Sequence, residues 1–305
     1  MSLSEKAELI YRINKFKQEK NAVILAHCYQ NIEIDEVADY VGDSLYLSQK
    51  AAETNADIIV FAGVYFMAET AKILSPEKKV LLPRMESGCF MADMINAQEL
   101  RTFKEKYQGR PVVCYVNSSA ETKAESDICC TSANALKIVQ SLREKEILFA
   151  PDRGLGAYIA SQLPDKKIIS YCGYCPTHMR ILPKDILEKK SLYKNAEILV
   201  HPECHIEVIK LADYVGSTSG IMSRVKASNS DTFVIATEKG VAQRLQRDYP
   251  EKKFILASEK AVCENMKWHA LEDVLNALKN EAYEVTVEES LCQKASISIN
   301  RMMQI

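Results

Sequence analysis

Cys89, Cys175 and Cys263 recur at steps of 86 and 88 residues, and three thiols at one phase of an internal period form the strongest chemical signal in this chain. Other reactive side chains keep the same period. His27, Tyr115 and His201 each close a short apolar run, and Tyr29, Asn117 and Glu203 stand two residues beyond them. Ser44, Ser132 and Thr218 follow in turn. Three related units closing around an axis would carry one cysteine each to a common centre. Three thiolates without an evident fourth ligand suit an iron–sulfur cluster with one iron open to substrate, since such clusters usually take four cysteines. An open iron is a Lewis acid toward hydroxyl or carboxylate oxygens and assists loss of water. Zinc is the main rival, because Cys172-Gly-Tyr-Cys175 is a CxxC with His178 three residues on. One CxxC without a second pair is weak support for it.

The period is plainest in Ala38–Ser44 (ADYVGDS) and Ala212–Thr218 (ADYVGST), with the weaker Ser126–Ser132 (SDICCTS) between them. Asp39, Asp127 and Asp213 hold the register, and the runs KKV (78–80), KKI (167–169) and KKF (252–254) follow. Short continuous apolar runs suit strands covered on both faces, hence parallel sheets with crossover helices. In the first unit these runs are Ala22–Ala26, Ile58–Ala62 and Val80–Leu82. In the second they are Val112–Val116, Ile147–Ala150 and Ile168–Tyr171; in the third, Ile198–Val200, Phe233–Ala236 and Phe254–Leu256. Helical spacing marks Ser44–Glu53 and Leu155–Leu163, and a further helix precedes each first strand: Glu5–Glu19, Ala97–Tyr107 and Lys184–Tyr193. Ser44, Ser132 and Thr218 sit where helices should begin and are read as N-caps. A tail adds helix Leu271–Asn280, strand Tyr283–Val287 and helix Ser290–Met303. The expected fold is α/β: three homologous three-layer αβα domains with parallel sheets in pseudo-threefold arrangement. Their expected bounds are 1–91, with the tail 266–305 packed on it, 92–177 and 178–265.

At 305 residues the chain fits two or three compact units, and a period near 87 favours three. A net charge of −2 leaves no footprint for nucleic acid. The longest apolar run, Ile58–Ala68, is too short to span a bilayer, and the N-terminus reads as an amphipathic helix rather than a signal segment. The expectation is a soluble cytoplasmic protein. Ten cysteines without a secretory signal then read as reduced thiols, and Asn117-Ser-Ser119 is not a glycosylation site.

In parallel α/β sheets, sites form beyond the carboxyl ends of strands and at helix starts. His201-Pro-Glu-Cys204 aims an imidazole and a carboxylate the same way, which makes Glu203 the candidate general base, tuned upward by burial. Tyr29 and Tyr115 are candidate hydrogen-bond or proton donors. Asp152-Arg-Gly-Leu-Gly156 lacks the rest of a dinucleotide fingerprint. Cys114, Cys129, Cys130 and Cys292 read as packing residues, and His205 and His269 as packing or surface.

The strings AHCYQ (26–30), VGDS (41–44), FMAE (66–69), YVNSSAE (115–121), TSANA (131–135), PDRGLG (151–156), CPTH (175–178), HPEC (201–204), ADYVGST (212–218) and CENMK (263–267) together resemble quinolinate synthase, the iron–sulfur enzyme family of de novo NAD biosynthesis. The resemblance runs from about Ala26 to Met266. It implies three homologous αβα domains and condensation of iminoaspartate with dihydroxyacetone phosphate, releasing phosphate and two waters to give quinolinate. It implies a [4Fe-4S] cluster on Cys89, Cys175 and Cys263, and acid–base roles for Tyr29, Tyr115 and Glu203. His27, Ser44, Asn117, Ser132, His178, His201, Ser217 and Thr218 match residues that hold carboxylates and phosphate. An enzyme producing iminoaspartate is the implied partner. Cys28 departs from the family's usual Asn and should point away from the pocket; Cys204 is common in the family without being a ligand. Two other classes compete: an aconitase-type hydro-lyase, which needs no triose phosphate, and a metal-bound scaffold or sensor, which needs only the ligands.

Overall fold

The computed structural model describes residues 3–305 and contains three parallel four-stranded sheets flanked by helices, an α/β array of three αβα units. The first sheet comprises β1 (Ala22–His27), β2 (Tyr40–Gly42), β3 (Ile58–Ala62) and β4 (Lys79–Leu81). The second comprises β5 (Val112–Tyr115), β6 (Ile128–Cys130), β7 (Glu146–Ala150) and β8 (Lys167–Ser170). The third comprises β9 (Glu197–Val200), β10 (Tyr214–Val215), β11 (Thr232–Ala236) and β12 (Lys253–Leu256). Their orders are β2-β1-β3-β4, β6-β5-β7-β8 and β10-β9-β11-β12. Each unit therefore reverses direction between its first and third strands, where open parallel sheets form clefts.

The inner strands are apolar throughout because each sheet is covered on both faces. Successive side chains alternate between the faces. The register pairs Leu25 with Phe61, Val113 with Phe149 and Leu199 with Ile235, and all six enter one core shared by the three units. Their neighbours Ile24 and Val60, Val112 and Leu148, and Ile198 and Val234 face three separate outer cores. The Lys pairs that keep the period mark the edge strands β4, β8 and β12, whose first residues are Lys79, Lys167 and Lys253; charge at an edge discourages further pairing.

The repeated aspartates are structural. Asp39, Asp127 and Asp213 each accept the backbone N–H of Ile24, Val112 and Ile198 at 2.8 Å. They thus pin the second strand of each unit beside the first. Those second strands, β2, β6 and β10, lie inside the ADYVG-type repeats and carry no apolar run long enough to be read as strands. The tail strand expected at Tyr283–Val287 is not formed. Its backbone makes only an isolated antiparallel bridge, Leu81 with Glu284, because a single extended segment meets the edge of β4 there. Helix Leu271–Asn280 packs on helix Leu3–Glu19 and β3, while helix Glu289–Met303 packs on helix Ala120–Ala124, β6 and helix Tyr65–Leu74.

The expected hierarchy of costs follows. Phe149→Ala should destabilise by about 3–5 kcal/mol through the cavity it leaves in the shared core. Asp213→Ala should cost about 1 kcal/mol, the worth of one largely exposed anchor. Urea denaturation of both variants checks the order, and an equal cost would contradict it.

Candidate active site

The three cysteine loops are held alike. The N–H of Tyr65 donates to Ser87 O at 2.7 Å, that of Arg153 to Gly173 O at 2.8 Å, and that of Lys239 to Ala261 O at 3.0 Å. Each donor opens the helix after the third strand of its unit, and each acceptor lies two residues before a cysteine. At Gly173 the fit is so close that a Cβ would stand 2.7 Å from the Pro151 carbonyl oxygen. A short helical turn follows each cysteine, and the backbone N–H of Ala92, His178 or Met266 reaches the sulfur three residues back. All three cysteines line one cavity.

Burial pushes the Cys89 thiol up to about 12, Cys263 to about 11, and Cys175 well above its usual range. Three half-buried thiols with peptide N–H donors aimed at their sulfurs would ionise once a cationic metal centre offset the loss of water around them. The cysteine-rich cavity is therefore a candidate metal centre. Among the described residues, the group whose ligand atoms all lie within 4.8 Å of one another is Cys175, His178 and Glu203. The three cysteine sulfurs do not form such a group.

His27 Nδ1 accepts the N–H of Tyr29 at 3.2 Å, and His201 Nδ1 accepts that of Glu203 at 3.4 Å, the same contact two repeats apart. An accepting Nδ1 puts the proton of a neutral imidazole on Nε2. Burial, helped by the charges of Arg244 and Lys267, lowers His27 to about 3; burial and the neighbouring His178 lower His201 to about 3. Both rings are thus uncharged donors. His178 stacks on His201 with centroids 4.4 Å apart and places Nδ1 2.6 Å from Glu203 Oε2. Burial alone would raise Glu203, but the two imidazoles and hydrogen bonds from His178 and Tyr115 outweigh it and hold the carboxyl below its usual range. These partners reverse the upward tuning expected from burial, and Tyr115 among them arrives from another unit. Tyr29 and Tyr115 go the other way, pushed well above 10 by burial and by the charge of Glu203. The Tyr29 hydroxyl lies 3.0 Å from both Thr218 Oγ1 and Thr237 Oγ1.

The helix starts differ from expectation by one residue or more. Asp43, not Ser44, caps helix Ser44–Glu53, accepting the N–H of Tyr46. Ser217, not Thr218, caps helix Thr218–Ala227 through the N–H of Gly220. Ser132 sits in a turn before helix Ala135–Ser141. The three hydroxyls are thereby free of capping, and all three line the cavity.

His27, Tyr29, Ser44, Cys89, Tyr115, Asn117, Ser132, Cys175, His201, Glu203, Thr218 and Cys263 all line this one cavity. His178 and Ser217 do not: the first stands behind Glu203 and the second is a cap. Sequence reasoning missed Thr237, which bridges Tyr29 and His178, its Oγ1 lying 2.9 Å from His178 Nε2. Its place after β11 was a usable signal. Asp43, another omission, caps one unit's helix while accepting the Ser219 hydroxyl of another. Cys28 faces a separate groove with Gly42, Tyr46 and Ser219.

A cavity where three parallel sheets deliver thiols, phenols, imidazoles and a carboxylate is the site of an α/β enzyme with donors able to hold a metal. The family model described as Quinolinate synthetase A protein matches residues 11–304. The quinolinate synthase of Alkaliphilus metalliredigens is 53% identical over 297 residues, covering 97% of this chain and 98% of that protein. Quinolinate synthase 2 of Methanosarcina acetivorans is 53% identical over 96% of this chain and 94% of its own length. The quinolinate synthase of Dehalococcoides mccartyi is 52% identical over 98% and 99%. The chain belongs to the quinolinate synthase family and is an enzyme. No helix among the described residues is long and apolar enough to cross a membrane.

With His27 and His201 at about 3 in the fold and 6.5 when free, the unfolded chain binds more protons between those values. Stability should therefore fall as pH drops through that window. His201→Asn is expected to reduce the slope by about one proton, ~1.4 kcal/mol per pH unit. Urea midpoints measured across the window test this, and an unaltered slope would show that His201 is not held neutral.

Proposed function

We propose that the enzyme condenses iminoaspartate with dihydroxyacetone phosphate to quinolinate, with loss of phosphate and two waters, as a step of NAD biosynthesis. Cys89, Cys175 and Cys263 would hold a [4Fe-4S] cluster with one iron left open. The observation that carries this reading is the meeting of one cysteine from each unit with Tyr29, Tyr115 and Glu203 in a single cavity. When bound, the open iron would supply Lewis acidity toward hydroxyl or carboxylate oxygens of the reactants.

The protein's own groups have distinct tasks in this proposal. Glu203, kept ionised by His178 and Tyr115, accepts protons from the condensing substrates. Tyr29 and Tyr115 stay protonated and donate to departing oxygens. His27 and His201 offer neutral N–H groups to carboxylates without bringing charge. Ser44, Ser132 and Thr218 bind the phosphate at helix starts, with Ser217 setting the turn before Thr218. Asn117 has a buried Oδ1 with no partner, which suits a donor on a bound reactant. His178 orients Glu203.

We assign the units to 1–91, 92–177 and 178–265, with the tail 266–305 packing on the first and, through helix Glu289–Met303, on the second as well. Ten unpaired cysteines support a reducing compartment, the cytoplasm. An aspartate-oxidising enzyme would supply the imine.

Anaerobic protein given aspartate, such an oxidising partner and dihydroxyacetone phosphate should form quinolinic acid and release phosphate. Omitting the triose phosphate should abolish product; dehydration without it would instead favour a simple hydro-lyase. Cys89→Ala should lose iron, sulfide and activity together. Full turnover by a cluster-free Cys89→Ala protein would refute the assignment, and one equivalent of zinc without sulfide would favour a scaffold.

A further inference from the structure

The strand that carries the first unit's site residues ends at His27, and the next three carbonyls leave the sheet. They are not taken up by backbone. Arg244 Nη1 donates to Cys28 O at 2.6 Å and to Gln30 O at 3.1 Å. Lys267 Nζ donates to Tyr29 O and, at 3.3 Å, to Gln30 O. Two cations from the far end of the chain thus grip three successive carbonyls, with Tyr29 in the middle.

Both cations are matched by acids. Arg244, 1% exposed, places Nη2 2.5 Å from Asp35. Lys267 lies 3.2 Å from Glu238 Oε1, on a side chain with no exposure. Glu238 in turn accepts the N–H of Gly240 at 2.6 Å and the N–H of Cys263 at 3.4 Å. A continuous path therefore runs from the third cysteine through Glu238 and Lys267 to the backbone of Tyr29. Gly240 is part of the same fit, since a Cβ there would stand 2.9 Å from Cys28 O.

The repeat shows that the two cations are no part of the common scaffold, whereas Glu238 and Gly240 have period-mates in Asp152 and Gly154, and Asp152 likewise meets the N–H of Cys175. One and two periods back from Lys267 stand Met179 and Asp93, and from Arg244 stand Tyr158 and Thr70. The loop of the third unit, with Glu203, is approached in the same way by Gly154, whose Cβ would meet Glu203 O at 2.6 Å. Buried ion pairs are a poor source of net stability, because desolvation offsets their attraction. Their confinement to the Tyr29 loop points to orientation.

We propose that Lys267 and Arg244 are positioning residues for Tyr29, fixing its phenol against Thr218 and Thr237 of the third unit by clamping the carbonyls around it. This rests on the reading of Tyr29 as a proton donor. A displacement of about 1 Å at a reacting group can lower turnover about 100-fold, so loss of the clamp falls on kcat rather than on binding.

The test uses the cluster-loaded enzyme. Lys267→Met should keep wild-type iron, sulfide and the electron paramagnetic resonance signature of the reduced cluster. Its kcat should fall roughly 10- to 100-fold while KM for dihydroxyacetone phosphate stays within about threefold. Lys267→Arg should restore most of the rate. Arg244→Lys, which keeps the charge but cannot span Asp35 and the carbonyls together, should give the same split and serves if Lys267→Met does not fold. Wild-type kcat in these variants overturns the inference. So does a fall in kcat that tracks iron loss one for one, since Lys267 would then serve only the Cys263 loop. Tyr29→Phe is assayed alongside. Full activity there removes the role of Tyr29 itself, whereas an inactive Tyr29→Phe beside an unaltered Lys267→Met removes only the clamp.

Discussion

One backbone hydrogen bond, made three times, holds the site together: the first N–H of the helix after each third strand reaches the carbonyl two residues before a cysteine. Because the strands of each sheet are parallel, their carboxyl ends emerge on one side, and so do the helix starts that follow them. The hydrogen bond then brings the loop after the edge strand back to that same side. Without it the cysteines would be merely in phase along the chain. With it, in phase also means in one place. Alternate side chains of the inner strands enter a core common to all three units, so the loops are fixed to one body rather than to three.

The cavity formed in this way is electrically unusual. His27 and His201 are uncharged, its phenols are held protonated by burial, and its central carboxylate is ionised among them. Several of these groups have a partner from another unit: Glu203 has Tyr115, Tyr29 has Thr218 and Thr237, and the carbonyls beside Tyr29 have Arg244. These contacts are a property of the interfaces between repeats. Closing a ring of three units creates those interfaces, and no single unit contains them.

Much of the fold was legible because its signals are local and periodic. The nine apolar runs became strands since burial on both faces demands unbroken hydrophobicity. β2, β6 and β10 escaped, being only two or three residues long and secured by an aspartate rather than by apolar content. Tyr283–Val287 misled for the opposite reason: it has strand-like residues but only the rim of β4 to lie against. At the helix starts, Ser44 and Thr218 looked like caps. Asp43 and Ser217 took that task because each lies one residue earlier, where the backbone is still extended.

The amino-acid order by itself determined the threefold period, the common phase of Cys89, Cys175 and Cys263, and the strand-end placement of His27, Tyr115 and His201, because spacing along a chain survives any packing. Tertiary structure alone decided that Glu203 is held ionised, that Thr237 joins Tyr29 to His178, and that Lys267 and Arg244 grip the Tyr29 loop. Those outcomes depend on contacts between residues 25 to 238 positions apart. The grip on the Tyr29 loop arises only when the last unit closes against the first.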